Sequence, residues 1–290
     1  EDQVARGTPV TVITSRTGYN GHAAVLPKRE IINGVHVRRV WTSHLERLGL
    51  PGRAVDYATF YVRAFLVLLM TARRGDTVLA KTDPPLMSIP AALVTRLRRA
   101  RLVNWCQDLF PEIATAVGLR WTGGLMGRVL YRLRNRSFRK AVANVVLNRS
   151  MRAHLEGQTV PDDRLRVIHN WSVEELEHLP RRPGNTRKKS PAEPFTICYS
   201  GNLGRCHNVD AIIDLVDRAW LIPGVRFRFV GGGIGHTRLQ AAIAEHGWTH
   251  VGFAPYAPRE QLGQSLAACD AHLITLDPAC EGLIQPSKIY

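Results

Sequence analysis

Two glycine-rich segments in the second half of the chain each follow a predicted strand. The first glycine loop (residues 201–205) follows a strand predicted over 195–200, and the second glycine loop (residues 231–233) follows a strand predicted over 226–230. Glycine lets a backbone approach a phosphate, and the helix that follows offers free N–H groups and a positive dipole end. Arg205 suits a diphosphate by its charge and fork geometry. The alternative is a pair of tight turns, because neither loop matches a dinucleotide or Walker fingerprint.

A third polar segment, the Glu281 loop (residues 281–288), follows a strand predicted over 271–276. It places the Glu281 carboxylate, the Ser287 hydroxyl and the Lys288 ammonium in one loop. The charged side chains of a loop usually contact only water and bind no ligand. Combined with Arg205, however, this loop supplies what a sugar diphosphate needs, namely cations for phosphates and a carboxylate for hydroxyls.

Strands and helices alternate along the chain, which predicts βαβ units and parallel sheets. Ligands of such sheets lie beyond the carboxyl ends of the strands, where the loops above belong. We therefore predict an α/β fold with an N-terminal domain over 1–179, a linker over 180–194 rich in Pro, Arg and Lys, and a C-terminal domain over 195–290. Residues 31–40, with Asn33 and Gly34 inside, predict a hairpin or an edge pair.

The composition is that of a globular protein: 290 residues, 45% hydrophobic and 22% charged. No run of about 18 uncharged apolar residues occurs, so we expect no membrane-spanning helix. The net charge of +15 favours anionic partners such as nucleic acid, phosphorylated molecules or an anionic membrane. Five scattered cysteines without a CxxC pair indicate reduced thiols, without a zinc site or a disulfide. The start at Glu1 and the stop after the Glu281 loop indicate a fragment.

Several segments, in order, resemble glycosyltransferase family 4, and within it the bacterial enzymes of capsule, exopolysaccharide and O-antigen assembly. In the second half they are YSGNLGRCHNVDAIIDLV, FRFVGGG, PYAPREQLGQSLAACDAHLITL and EGLIQPSK. In the first half they are VTVITSR, TDPPL, CQDLFPE and LRVIHNW. No single motif is decisive, whereas the ordered set is specific and covers nearly the whole chain.

The resemblance implies a GT-B fold, which is two Rossmann-like domains facing across a cleft, here with the first strand missing and the C-terminal domain incomplete. It implies a retaining, metal-independent transfer of a hexosyl or N-acetylhexosaminyl group from a UDP- or GDP-sugar to a lipid-linked saccharide. The expected location is the cytoplasmic face of the plasma membrane, with no bound cofactor. The family pattern assigns the donor site to Gly201, Asn202, Gly204, Arg205, His207, Gly231, Gly232, Gly233, Phe253, Tyr256, Glu281, Gly282, Ser287 and Lys288.

Two of these positions depart from the family pattern. Many members carry a lysine where this chain has His207. A second glutamate, which members often have eight positions after the first, falls on Ile289 here.

Asp108 follows the strand predicted over 100–105 and is the candidate catalytic carboxylate of the first half. In the resembled family a His or Asp near this point contacts the reacting sugar. A carboxylate here would orient the acceptor hydroxyl or stabilise positive charge on the sugar. The alternative is that Asp108 caps a helix predicted over 109–117. Glu112 is a weaker candidate, because a glutamate in a first turn also suits the helix dipole.

Residues 113–155 contain no acidic side chain, and a helix is predicted over 124–140. On it, Arg128, Arg132, Arg136 and Lys140 recur every four residues, and we call them the basic stripe. This stripe would face an anionic membrane, or else only water. The apolar helix predicted over 53–74 is either a second membrane-facing surface or part of the core.

Two other functions remain open from the sequence. A nucleic-acid-binding protein is suggested by charge alone, without an RRM signature, a zinc finger or a basic patch interleaved with aromatic residues. A sugar-nucleotide epimerase of the same architecture would need neither an acceptor nor a membrane-facing helix. No histidine pair of the HExxH kind occurs, so we predict no bound metal.

Overall fold

The computed structural model describes residues 1–16, 26–45, 49–172 and 193–289. Its strands are β1 (Thr11–Ser15), β2 (Arg29–Ile32), β3 (Val35–Val40), β4 (Thr77–Lys81), β5 (Arg101–Trp105), β6 (Ala143–Val146), β7 (Leu165–Val167), β8 (Phe195–Asn202), β9 (Val225–Gly232), β10 (Val251–Ala254) and β11 (Ala271–His272). Its α-helices are α1 (Asp2–Ala5), α2 (Leu50–Thr71), α3 (Ser88–Arg98), α4 (Glu112–Ala116), α5 (Leu125–Lys140), α6 (Arg149–Gly157), α7 (Val209–Ala219), α8 (Ile234–His246) and α9 (Leu262–Ala267).

The chain divides into two compact units. The first contains Glu1–Pro111, Leu125–Val146 and Leu155–Arg166, and the second contains Glu112–Gly124, Leu147–His154 and Val167–Tyr290. Two segments of the first half, which hold α4 and the start of α6, thus group with the second unit. The predicted linker lies mostly outside the described residues, so the domain boundaries at 179 and 195 stay a prediction.

In the first unit the described strands form two sheets. One has the order β1-β3-β2 and the other the order β4-β5-β6-β7. β2 and β3 pair antiparallel with Ile32 opposite Val35, which confirms the hairpin at Asn33 and Gly34. The pairs β1 with β3, β4 with β5, and β5 with β6 are parallel, as the alternation of strands and helices predicts.

Helix α2 covers the first of these sheets with only a narrow face. Phe60 and Ala64 are buried against Val40, whereas the outward side chains of the helix are exposed. Its segment Pro51–Thr71 is long and apolar enough to cross a membrane by length and composition, with a mean hydropathy of 1.4. The sequence search for an uncharged run missed this segment because Asp56 and Arg63 interrupt it. The packing of Phe60 and Ala64 on the sheet favours a surface helix.

The second unit holds one parallel sheet in the order β10-β9-β8-β11. Its core joins strand residues such as Tyr199, Phe227 and Phe229 to helix residues such as Ile212 and Leu239. Helix α7 begins at Asn208, whose Oδ1 accepts a hydrogen bond from the Ala211 amide at 3.0 Å. The last strand is shorter than predicted, since β11 ends at His272.

One expectation about cysteine is wrong. Cys198 and Cys269 are joined by a disulfide, with Cα atoms 5.9 Å apart. Cys198 lies in β8, and Cys269 comes just before β11, which pairs with β8. The two residues are 71 positions apart, so only the sheet order brings them together. Spacing along the sequence carries no sign of this pair.

Candidate active site

The two glycine loops lie side by side at the carboxyl ends of β8 and β9. In the parallel register Gly201 pairs with Gly231, and Asn202 pairs with Gly232. Gly231 has φ +124°, and a Cβ there would overlap the Gly201 carbonyl oxygen and lie 3.0 Å from the Tyr256 ring. A side chain at this point is therefore excluded by backbone. The main chain at Gly201 and Gly231, which we call the ledge, carries no side chain of its own, as a phosphate bound by backbone requires.

Lys288 lies on the first glycine loop, although it is 87 positions away in sequence. Its Cε is 2.8 Å from the point that a Cβ of Gly201 would occupy. Its Nζ stands 4.9 Å from the centroid of the Tyr199 ring. Burial lowers the pKa of Lys288. The structure thus brings together two of the predicted donor residues and holds a cation over the backbone that a diphosphate would contact.

His207 belongs to the same cluster. Its Nδ1 is 2.7 Å from the Thr275 carbonyl oxygen, and its ring meets Tyr199 edge-on. Burial lowers the pKa of His207, and the nearby Lys288 ammonium lowers it further, against backbone hydrogen bonds to Thr275 and Asn202 that raise it. The neutral form is favoured. The structure therefore places a neutral imidazole and the Lys288 ammonium next to each other in this cluster.

The remaining donor-site candidates occupy varied positions. Arg205, Asn202, Glu281 and Ser287 are exposed, whereas Gly282 is buried. Tyr256 is exposed and its ring lies against Gly231 and Gly232, on the rim of the second glycine loop. The roles of these residues stay predictions.

Phe253 differs from Tyr256 in its surroundings. Its ring packs against Phe229 and His236, with centroids 5.7 and 5.5 Å away. This position favours a packing role over contact with a nucleotide base. Both residues follow the second glycine loop in sequence, so only their burial in the structure distinguishes their expected roles.

Two cysteines connect the first glycine loop to the residues just before the Glu281 loop. The thiols of Cys206 and Cys280 are hydrogen-bonded to each other. The Asp277 amide donates to the Cys206 carbonyl oxygen at 2.8 Å. Burial raises the pKa of the Cys280 thiol. The sequence analysis missed this contact, since the two cysteines are far apart in the chain.

Asp108 lies in the first unit, beyond the carboxyl ends of β4 and β5. The loops after these strands are tied by the Gln107 amide, which donates to Thr82 Oγ1 at 2.9 Å. The pKa of Asp108 is raised to about 6, mainly by burial and also by the Asp83 carboxylate, against the Lys81 ammonium, which lowers it. The alternative that Asp108 caps the following helix is wrong, because α4 begins only at Glu112. Asp83 is a member of this cluster that the sequence analysis did not single out.

Glu112, the weaker candidate, is buried and lies in the second unit. Its Oε1 is 3.3 Å from Nε2 of His154. This contact gives the buried Glu112 carboxylate a polar partner, and a role of Glu112 in catalysis stays a prediction. Among the described residues, no group of three or more His, Cys, Asp or Glu side chains could hold a metal ion.

The raised pKa of Asp108 has a measurable consequence for stability. A carboxyl group with a folded-state pKa near 6 and an unfolded value near 3.8 makes the fold lose stability as the pH rises from 3.8 to 6, and the loss is complete above pH 6. We expect Asp108→Asn to raise the free energy of unfolding at pH 7.5 by about 1–3 kcal/mol, with little change at pH 3.5. Urea unfolding at the two pH values tests this. A loss of stability at pH 7.5 would contradict the buried-carboxylate description.

Comparisons with known proteins match these features. The model of the glycosyl transferase 4-like domain family matches residues 1–171. The chain is 28% identical to a probable glycosyltransferase, WbjE, of Pseudomonas aeruginosa over 229 residues, which cover 77% of this chain and 56% of that protein. It is 25% identical to a putative colanic acid biosynthesis glycosyl transferase, WcaI, of Escherichia coli K12 over 246 residues, which cover 82% and 60%.

The fold also resembles a solved structure, Anabaena HepE in complex with UDP-glucose. The TM-score is 0.51 at 16% identity, and the match covers 81% of this chain and 59% of that chain. This likeness confirms the expected α/β fold class, GT-B. The chain spans somewhat over half the length of the curated relatives that it matches.

Proposed function

Since this chain belongs to the glycosyl transferase 4-like family, we propose that it transfers a sugar from a nucleotide-sugar to a lipid-linked saccharide in the assembly of a bacterial surface polysaccharide. The proposal includes retention of the anomeric configuration and a metal-independent reaction. Two similar proteins support the proposal: one is named for colanic acid biosynthesis, and the other is a solved structure that contains UDP-glucose.

The observation that carries the proposal is the position of Lys288 on the ledge formed by Gly201 and Gly231. A diphosphate on this ledge would contact main-chain groups from below and the Lys288 ammonium at its side. Arg205, exposed at the end of the same loop, would reach the outer phosphate. The two cations would stabilise the departing diphosphate, which is the task that Mg²⁺ performs in other transferases.

The sugar would extend from this ledge toward the Glu281 loop. The Glu281 carboxylate, exposed at the start of that loop, is suited to accept hydrogen bonds from the sugar hydroxyls. For Asp108 we propose the catalytic role of orienting the acceptor hydroxyl or stabilising the charge that develops at the sugar. With a pKa near 6, Asp108 is mostly ionised at pH 7.5, as either role requires.

A membrane-facing surface on the first unit supports a lipid-linked acceptor. The four members of the basic stripe on α5 are all exposed, because Arg134, Ser137 and Phe138 occupy the buried face of that helix. Apolar side chains on the same helix are also exposed; they are Leu125, Met126, Val129 and Leu133. Exposed apolar side chains beside basic ones are typical of a helix at a membrane interface. We place the protein at the cytoplasmic face of the plasma membrane.

Neutralising part of the basic stripe should weaken membrane binding. Each arginine near an anionic surface contributes about 1 kcal/mol, so Arg132→Gln combined with Arg136→Gln should lower the partition coefficient about thirtyfold. Sedimentation with vesicles that contain phosphatidylglycerol measures this. The matched control is Arg218→Gln with Arg226→Gln on the second unit, which should change nothing. Equal binding of vesicles by the stripe variant and the wild type would contradict the proposal that the basic stripe faces a membrane.

The transfer reaction itself is tested with a polyprenyl-diphosphate-linked saccharide and UDP- or GDP-sugars in the presence of EDTA. The expected result is a lengthened saccharide whose new linkage has the donor's anomeric configuration by NMR. An altered sugar-nucleotide formed without any acceptor would instead indicate an epimerase. Product formed only without EDTA would contradict the metal-independent reaction.

A further inference from the structure

The Glu281 loop is attached to two different parts of the second unit. At its far end, Lys288 lies against Gly201 and Tyr199. In its middle, the loop contacts the residues that begin helix α6, which come from the first half of the sequence. None of these latter residues is among the predicted donor-site residues.

The contact with α6 is made by the amide side chain of Asn148. Its Nδ2 donates a hydrogen bond to Gln285 Oε1 at 2.8 Å, and its Oδ1 accepts one from the Met151 amide at 2.7 Å. The second bond is a helix N-cap, and it fixes which end of the Asn148 amide points to the loop. The Nδ2 group of Asn148 is thereby oriented toward Gln285 before any ligand binds.

A second contact lies beside the first. Gly282 has φ +72°, and a Cβ on it would lie 3.2 Å from the Ser150 carbonyl oxygen. The loop backbone therefore rests against the first turn of α6, one residue after Glu281. The contacts of Gln285 and Gly282 together fix the position of the loop's main chain. They therefore also fix the backbone position from which the Glu281 side chain extends.

We propose that Asn148, acting through Gln285, is a positioning residue that holds the Glu281 loop in the conformation which binds the donor sugar. This inference rests on the proposed function. Asn148 need not touch the donor. Asn148 sets the position of the loop that carries the Glu281 carboxylate, and this carboxylate contacts the donor sugar. Loss of the Asn148 contact should therefore weaken binding of the sugar more than binding of the nucleotide diphosphate.

The substitution Asn148→Ser separates the two bonds of this side chain. Serine is as good an N-cap as asparagine, so α6 keeps its first turn. The serine hydroxyl is too short to reach Gln285 as well, so only the contact with the loop is lost. Asn208→Ser is the matched control, because Asn208 caps α7 in the same way. Gln285→Glu is the conservative variant, since its side chain still offers an acceptor to Asn148.

The experiment measures binding of UDP and of UDP-glucose by calorimetry, and hydrogen exchange of the amides in residues 281–285. For Asn148→Ser we expect about fivefold weaker binding of UDP-glucose, less than twofold weaker binding of UDP, and faster exchange in the loop. Gln285→Glu and Asn208→Ser should both keep the wild-type ratio of the two affinities.

Three results decide the matter. Unchanged exchange in the loop overturns the inference whatever the donor is. Equal weakening of both ligands shows a purely structural role and also overturns it. If the wild type binds neither UDP nor UDP-glucose, the proposed donor class fails, and the exchange data still decide whether Asn148 holds the loop.

Discussion

Replacing Lys288 by methionine should lower kcat for sugar transfer about a hundredfold while leaving the protein folded. The ammonium stands over the ledge where the diphosphate leaves, and one preorganised donor at a developing anion is worth about 10²–10³ in rate. Methionine keeps most of the volume against Tyr199. Because burial lowers the pKa of Lys288, removal of its charge should not reduce stability. Steady-state kinetics with saturating donor measure the effect.

Lys28→Met is the matched control, since Lys28 is exposed in the first unit and should tolerate the change. Arg205→Ala should also lower turnover, by at least tenfold, because it removes the second cation of the same site. Near-wild-type rates for both Lys288→Met and Arg205→Ala would contradict the phosphate site.

Gly231→Ala should both unfold the donor site and abolish donor binding. The new Cβ would overlap the Gly201 carbonyl oxygen, which is backbone of the neighbouring strand and cannot turn away. In addition, φ at this position is +124°, a conformation that alanine rarely adopts. Overpacking and backbone strain together should cost about 2–4 kcal/mol in the free energy of unfolding. Urea unfolding with circular dichroism measures this cost.

Gly252→Ala provides the control in the adjacent strand β10. A Cβ at Gly252 meets nothing within 4 Å, and the backbone there is ordinary. We expect a change of less than about 0.5 kcal/mol, which is the range of a surface substitution. Similar destabilisation by the two substitutions would contradict the close approach of the glycine loops.

Local patterns predicted much of the fold. The hairpin at Asn33 and Gly34, the exposed stripe on α5 and the two glycine loops follow from turn chemistry and periodicity, which act over a few residues. The proximity of Lys288 to Gly201 was expected from family resemblance. In the structure, β11, the last strand before the Glu281 loop, pairs with β8, which leads into the first glycine loop.

Features that depend on distant contacts could not be predicted in this way. The Cys198–Cys269 disulfide, the Glu112–His154 contact and the Asn148–Gln285 hydrogen bond each join residues separated by 42 to 137 positions. Their residue types are common, and only tertiary packing makes them neighbours. The exposure of α2 was left open for a related reason: an apolar helix has the same sequence pattern whether it packs in a core or at a surface.

The measurement that tests the central claim most directly is a thermal-shift panel with UDP-, GDP-, ADP- and dTDP-sugars on the wild type and on Lys288→Met. A ligand at 100 times its Kd adds about 2.7 kcal/mol of stability, which is readily detected. The account predicts a shift with one nucleotide class that is clearly smaller in Lys288→Met. No shift with any of the four, or an equal shift in the variant, would contradict a nucleotide-sugar site on the ledge of Gly201 and Gly231.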